Sequence, residues 1–280
     1  MTFKITHHTE YLFDSEVFLE PHSLRFRPRQ TSFLDVKDFS ISIKPNPTGH
    51  KIIQDENNNV LDFCWFDGLT KKLAITASSI LETKSYNPFD FIIHPQSFNS
   101  LPFEYESLQK TTLFSALEKL TVSEVLIDYA NSILKRSNYS TIQYLSTLTQ
   151  ELHEEFSVEY REDGSPLAPD ETFQLKKGSC RDLSWMLIGI LRHQGIAAQF
   201  VSGYYYFDME EPAYELHAWV EVFLPGTGWL GLDPSHGMLT GNTHFPIASS
   251  AHYENTMPVS GGIRGSATSK LITQLSIEKI

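Results

Sequence analysis

The stretch Gly178-Ser179-Cys180-Arg181-Asp182-Leu183-Ser184-Trp185-Met186-Leu187-Ile188-Gly189-Ile190-Leu191-Arg192-His193-Gln194-Gly195 decides how the second half of this chain folds. Leu183, Met186, Leu187, Ile190 and Leu191 recur at the three- and four-residue spacing that lines one face of an α-helix. The spacing predicts a helix from about Cys180 to Gln194, with Gly195 placed to stop it. Cys180 then stands at the helix start, where unpaired N–H groups and the helix dipole favour an anion. A thiol in that position is favoured as the thiolate, the reactive form. The same N–H groups could donate to the oxyanion formed in acyl transfer. A lone cysteine in a long chain is more often a small core residue, so position alone does not make Cys180 a nucleophile. Cys64, inside the β-like run Leu61-Asp62-Phe63-Cys64-Trp65-Phe66, has no helix start beside it and reads as structural.

Three β runs follow the helix: Ala197–Phe207, Leu216–Leu224 and Trp229–Asp233. A cysteine nucleophile needs a base, and a carboxylate to hold the base's other ring nitrogen. His217 and Asp233 lie in these runs, 37 and 16 positions further along in turn. Side chains alternate across a strand, so His217 shares a face with Trp219, Glu221 and Phe223. A two-residue turn at Gly226-Thr227 would pair Asp233 with Val220, on the wrong face. A three-residue turn, Pro225–Thr227, would pair it with Trp219 and bring His217 within diagonal reach, roughly 7–8 Å. A Cys180–His217–Asp233 triad therefore requires an odd-length turn or a bulge.

Upstream of Cys180, Ser123 can cap a helix with the stripe Val125, Leu126, Tyr129, Ala130, Ile133 and Leu134. A second helix, Thr141 to about Phe156, carries Ile142, Leu145, Leu148, Leu152 and Phe156 on one side. Asp163–Lys177, with Pro166 and Pro169, reads mostly as loop. Residues 1–107 read as an all-β domain, a sandwich or small barrel, with strands near Phe3–Phe13, Ser23–Arg27, Val36–Lys44, Val60–Phe66 and Leu73–Thr83. The linker falls near Leu101–Lys110. Residues 108–280 form the second domain, of α+β class, and its last strand, 270–280, can pack back on the first.

The chain has 280 residues and a net charge of -12, which disfavours nucleic acid and anionic membrane as partners. The N-terminus lacks the apolar core of a secretory signal, and no apolar run is long enough to span a membrane. Two cysteines, with no need to pair, fit a cytoplasmic location. Among the 11 histidines, His7-His8 and His193 lack zinc-ligand spacing, and Cys64 and Cys180 do not form a CxxC pair. Asp208-Met209-Glu210-Glu211 lacks calcium-loop spacing and reads as a solvated turn. No metal or other cofactor is expected.

The same residues resemble bacterial transglutaminase-like proteins of the cysteine-protease type, over nearly the whole chain. Gly178-Ser179-Cys180-Arg181-Asp182, Leu191-Arg192-His193-Gln194-Gly195-Ile196-Ala197, Val201-Ser202-Gly203-Tyr204, His217-Ala218-Trp219-Val220-Glu221-Val222 and Asp233-Pro234-Ser235-His236-Gly237 look like the family's motifs. Ile5–Tyr11 and Leu24–Arg29 resemble the β domain that precedes the family's core. Gln199 and His236 depart from the pattern, where Arg and Asn are usual. The resemblance implies a papain-like core, with the cysteine on a helix and His217 and Asp233 on the adjoining sheet, and a peptide, protein or other amide substrate. Hydrolysis through a thioester is the expected outcome, with glutamine transamidation, glycan amidase activity and a non-catalytic binding module as alternatives. Arg181 and Asp182 read as a polar pair setting the helix start. Trp219 reads as a cleft wall or a core residue, and Tyr160 as a second oxyanion donor or a buried tyrosine.

Overall fold

In the computed structural model, which describes residues 1–161, 164–210 and 212–280, the chain opens on one 23-residue strand, β1 (Thr2–Leu24). It continues as β2 (Leu34–Lys44), β3 (Gly49–Gln54), β4 (Val60–Trp65) and β5 (Leu69–Thr83). The helical region holds α1 (Ser107–Thr112), α2 (Phe114–Leu117), α3 (Glu124–Arg136) and α4 (Thr141–Glu155). The short strand β6 (Ser157–Val158), α5 (Pro169–Leu175) and β7 (Lys177–Gly178) lead into α6 (Cys180–His193). The remainder is β8 (Ala198–Phe207), β9 (Ala213–Leu224), β10 (Gly228–Asp233), β11 (Met238–Leu239), β12 (His244–Ser250), β13 (Val259–Arg264) and β14 (Ser269–Lys279). The start of the expected Asp163–Lys177 loop, and Glu211 of the acidic run, lie outside the described residues.

The first sheet runs β2-β5-β1-β4-β3, with β13 and β14 also paired to β1. β1 forms one strand where two were expected. The polar stretch Asp14-Ser15-Glu16 falls at an irregularity between Leu12 and Val17, which lets the strand pass without breaking. The all-β part ends at Thr83. Ile93, Phe98, Leu101, Phe103 and Tyr105 instead pack in the hydrophobic cluster of the α+β part. Alternate residues of β1 explain how the two parts join: Phe3 and Ile5 are buried against Tyr204, Tyr206, Phe245 and Ile247 of the second sheet.

That second sheet is antiparallel, in the order β11-β10-β9-β8-β12. Ala218, Val220, Val222 and Leu224 of β9 meet Leu183, Met186, Leu187, Ile190 and Leu191 of α6 in one cluster. Each of the larger side chains contributes about 1.5–3 kcal/mol on burial. At the far end of α6, buried Arg192 donates to the carbonyls of Ala198, Ala251 and Glu118 and locks the helix to the sheet. Gln199 donates to Glu221, which also receives Arg29 from the N-terminal part at 3.3 Å.

Two local expectations change. Pro169 does not mark a continuing loop but occupies the first turn of α5, where its missing N–H costs nothing. Arg181 and Asp182 do not pair with each other. Arg181 donates to the carbonyls of Arg161 and Gly164, and Asp182 takes its guanidinium partner from Arg161 at 2.6 Å.

Candidate active site

The residues before Cys180 are held tightly. Val158 and Gly178 pair in a short parallel ladder, and Glu159 N–H donates to Gly178 O. Buried Asp182, at the third position of α6, accepts from Ser179 N and Ser179 Oγ on one oxygen. Its other oxygen accepts from Arg161 Nη2 and Leu167 N. This carboxylate fixes the turn into the helix and therefore the start of the Cys180 side chain. Cys180 is half-buried and free; Cys64 is free and fully buried. Burial and the nearby Asp62 push the Cys64 thiol up to about 11, consistent with an inert role.

On the sheet, Leu224 pairs with Gly228 and Val220 with Leu232, so the hairpin loop is Pro225–Thr227, three residues. Continuing that register sets Asp233 opposite Trp219, with His217 as its diagonal neighbour. His217 Nε2 and Asp233 Oδ2 are 2.8 Å apart, and both side chains are fully buried. Cys180, at the start of α6, is among the neighbours that raise the His217 imidazole, after Asp233. Since Nε2 is held by Asp233, Nδ1 is the nitrogen left for other partners. Glu215 Oε1 stands 3.0 Å from Nδ1, yet no group among the described residues makes a well-aligned hydrogen bond to it.

Asp233 is the hub of a larger network. Besides His217, its Oδ2 accepts from His236 Nδ1 at 2.8 Å and His244 Nε2 at 3.1 Å. Gly241 N–H donates to His244 Nδ1, so the proton of that ring sits on Nε2, facing Asp233. Asp233 Oδ1 accepts the backbone N–H groups of Ser235 and His236. Burial alone would lower the His217 imidazole, but the Asp233 charge and hydrogen bond prevail and hold it well above its usual value. Burial alone would raise Asp233, but His217 and the other imidazoles hold it well below the usual carboxylate range. Burial, in contrast, lowers His244, which Asp233 only partly offsets.

Trp219 stacks near His217, with ring centroids 6.1 Å apart, and is itself buried, so it backs the imidazole from inside the fold. Gly203 makes room for the Trp219 ring: an added Cβ would fall 2.6 Å from it and 2.3 Å from Phe245 O. Tyr160 is 88% exposed, so it is not a buried tyrosine. With Arg161, Leu167, Gly178, Ser179 and Asp182 it lines a cavity of about 160 Å³ beside the turn into α6.

Glu215, His236 and His244 were not singled out as site residues from the sequence, although His236 stood out as a departure from the family pattern. Alternation along β9 puts Glu215 on the face of His217 and could have identified it. His244 carries no such signal, because only the pairing of β12 with β8 brings it to Asp233. Two overlapping sets of ligand-type atoms lie within 4.8 Å of one another: Glu215, His217 and His236, and His217, Asp233 and His244. The second set is closed by hydrogen bonds of 2.8 and 3.1 Å to one oxygen.

The core thus sets Cys180, at the start of α6, against an antiparallel sheet carrying the buried His217–Asp233 pair, and an all-β part precedes it. Residues 127–234 match the transglutaminase-like superfamily core, and residues 3–82 match the bacterial transglutaminase-like N-terminal region. The chain thus combines a transglutaminase-like core with a bacterial transglutaminase-like N-terminal region. The crystal structure of the “Putative Cysteine Protease” from Cytophaga hutchinsonii has the same fold, with a TM-score of 0.71 and 16% identity, over 100% of this chain and 91% of that one. An uncharacterized protein of Mycobacterium tuberculosis is 23% identical over 96% of this chain and 90% of its own length. A protein-glutamine gamma-glutamyltransferase of Pseudomonas aeruginosa is 30% identical over 80 residues, covering 26% of this chain and 12% of that protein.

Proposed function

We propose that this protein is a cysteine-nucleophile acyl-transfer enzyme acting on amide or peptide bonds, with Cys180, His217 and Asp233 as its triad. The observation that carries the reading is the buried 2.8 Å His217–Asp233 contact, with Cys180 a neighbour of the same imidazole at the first turn of a helix. His217 takes the Cys180 thiol proton and frees the sulfur to attack. The sulfur attacks the carbonyl carbon, and the oxyanion is stabilised by the Cys180 backbone N–H, which has no intrahelical partner at this position. His217 donates its proton to the leaving amine as the C–N bond breaks, leaving a thioester. His217, now neutral, takes a proton from water, and the hydroxide attacks the thioester. The acid leaves, and the proton returns the site to its starting state. Asp233 holds the imidazole orientation throughout.

Hydrolysis is the first reading. The similarity to the Pseudomonas gamma-glutamyltransferase favours a second, in which an amine replaces water and a new amide forms. A panel of peptides, glutamine side chains with and without a primary amine, and glycosylated asparagines separates these. Acid release alone supports hydrolysis; amine incorporation supports transamidation. Failure of every amide to form a Cys180 thioester detectable by mass spectrometry would remove the enzyme reading.

A further inference from the structure

We propose that Glu215, His217 and His236 form a binding site for a zinc-type divalent ion, and that this ion reversibly blocks Cys180. Asp233 Oδ2 holds His217 through Nε2 and His236 through Nδ1. One buried carboxylate thus orients two imidazoles and leaves the other nitrogen of each, Nδ1 of His217 and Nε2 of His236, facing Glu215. Metal-binding histidines are commonly held by a carboxylate on the opposite nitrogen in this way.

The distances fit one ion. Glu215 Oε1 is 3.0 Å from His217 Nδ1 and 3.8 Å from His236 Nε2, and the three atoms lie within 4.8 Å of one another. Tetrahedral zinc with bonds of 2.0–2.1 Å separates its ligands by roughly 3.3 Å. His217 Nδ1 is the central atom of this set. It is a buried nitrogen that no described residue meets with a well-aligned hydrogen bond, although Glu215 Oε1 stands 3.0 Å away and this is the nitrogen left for Cys180. Ligands of a shared ion stand off one another's lone-pair axes, which explains a close approach without a hydrogen bond. Glu215 is 39% exposed at its side chain and gives the ion a path from solvent.

Three protein ligands leave a fourth position for water. An ion on Nδ1 occupies the nitrogen that faces Cys180, so the thiol loses its base. Binding of the ion does not depend on Cys180 being a nucleophile; the blocking effect rests on that reading.

The test titrates metal-free protein with zinc sulfate by calorimetry and with cobalt chloride by visible absorption. Cys180 alkylation by iodoacetamide is followed in parallel. The expected result is one equivalent of zinc, a tetrahedral cobalt spectrum, and affinity lowered by at least about tenfold in both Glu215→Gln and His236→Ala. Alkylation of Cys180 should stop with stoichiometric zinc and recover with a chelator. Absence of stoichiometric binding, an octahedral cobalt spectrum, or affinity unchanged in both variants overturns the site. If zinc binds as described but Cys180 is sluggish even without metal, the site stands and the nucleophile reading falls. Fast alkylation untouched by zinc has the opposite meaning. The cobalt spectrum of the unaltered protein decides the matter even if a variant misfolds.

Discussion

Replacing Asp233 with Asn exchanges one carboxylate oxygen for an NH₂ group and should be among the most damaging substitutions in the chain. The carboxylate is fully buried and accepts five hydrogen bonds: three from His217, His236 and His244 at 2.8, 2.8 and 3.1 Å, and two from backbone N–H groups at 3.0 and 3.3 Å. An asparagine can turn its carbonyl to only one of these sets, and its NH₂ then faces donors. Each hydrogen bond to a charged group contributes about 1.5–3 kcal/mol, and breaking a buried ion pair costs about 3–5 kcal/mol. The contributions overlap, so the expected loss is about 3–5 kcal/mol in all. The pH dependence is distinctive. His217 is raised, so its contribution is complete below its usual 6.5 and is lost as pH climbs through the folded value. Asp233 is lowered, so its contribution is complete above its usual 3.8 and is lost as pH falls through the folded value. The gap between wild type and Asp233→Asn should be widest between those two values and narrow on either side. Urea unfolding by tryptophan fluorescence across this pH range measures it. A loss under about 1 kcal/mol, or one independent of pH, would refute the reasoning.

Other substitutions separate positioning from packing. Gly203→Ala should destabilise by about 1–3 kcal/mol or more and disturb the Trp219 ring behind His217, visible as a lowered melting temperature; an unchanged value would contradict the contacts at Gly203. Asp182→Ala should cost several-fold or more in Cys180 alkylation rate while leaving Cys64 unaffected, because four donors into the turn before Cys180 lose their acceptor. Tyr160→Phe should change acyl-transfer rates by less than about threefold, and a loss near a hundredfold would instead assign Tyr160 to the oxyanion.

The sequence was most informative where local periodicity and site geometry coincide. The α6 stripe, its Gly195 stop and the Cys180 start are all local features; the turn length at Pro225-Gly226-Thr227 is not, and an odd length follows only if Asp233 must share a face with His217. Legibility failed where tertiary context decides. β3 is exposed along its length or nearly so, and so shows no apolar alternation. β12 is buried at every position and contains Pro246, which argues against a strand in isolation and is tolerated beside the irregularity in its pairing with β8. Because β12 was not foreseen, neither was His244. The prolines that suggested a loop before Lys177 hid α5, since proline serves equally at a helix start. Glu215 was within reach of sequence reasoning, two residues from His217 on the same face, but nothing local distinguished it from a solvated strand residue.

The central claim is that the Cys180 thiol is activated by His217. The direct measurement is the iodoacetamide alkylation rate of Cys180 at neutral pH, resolved from Cys64 by peptide mass spectrometry, in wild type and His217→Ala. The account predicts rapid labelling of Cys180 in wild type, at least about a hundredfold slower labelling in the variant, and no appreciable labelling of folded Cys64 in either. Equal, slow labelling of Cys180 with and without His217 would contradict it.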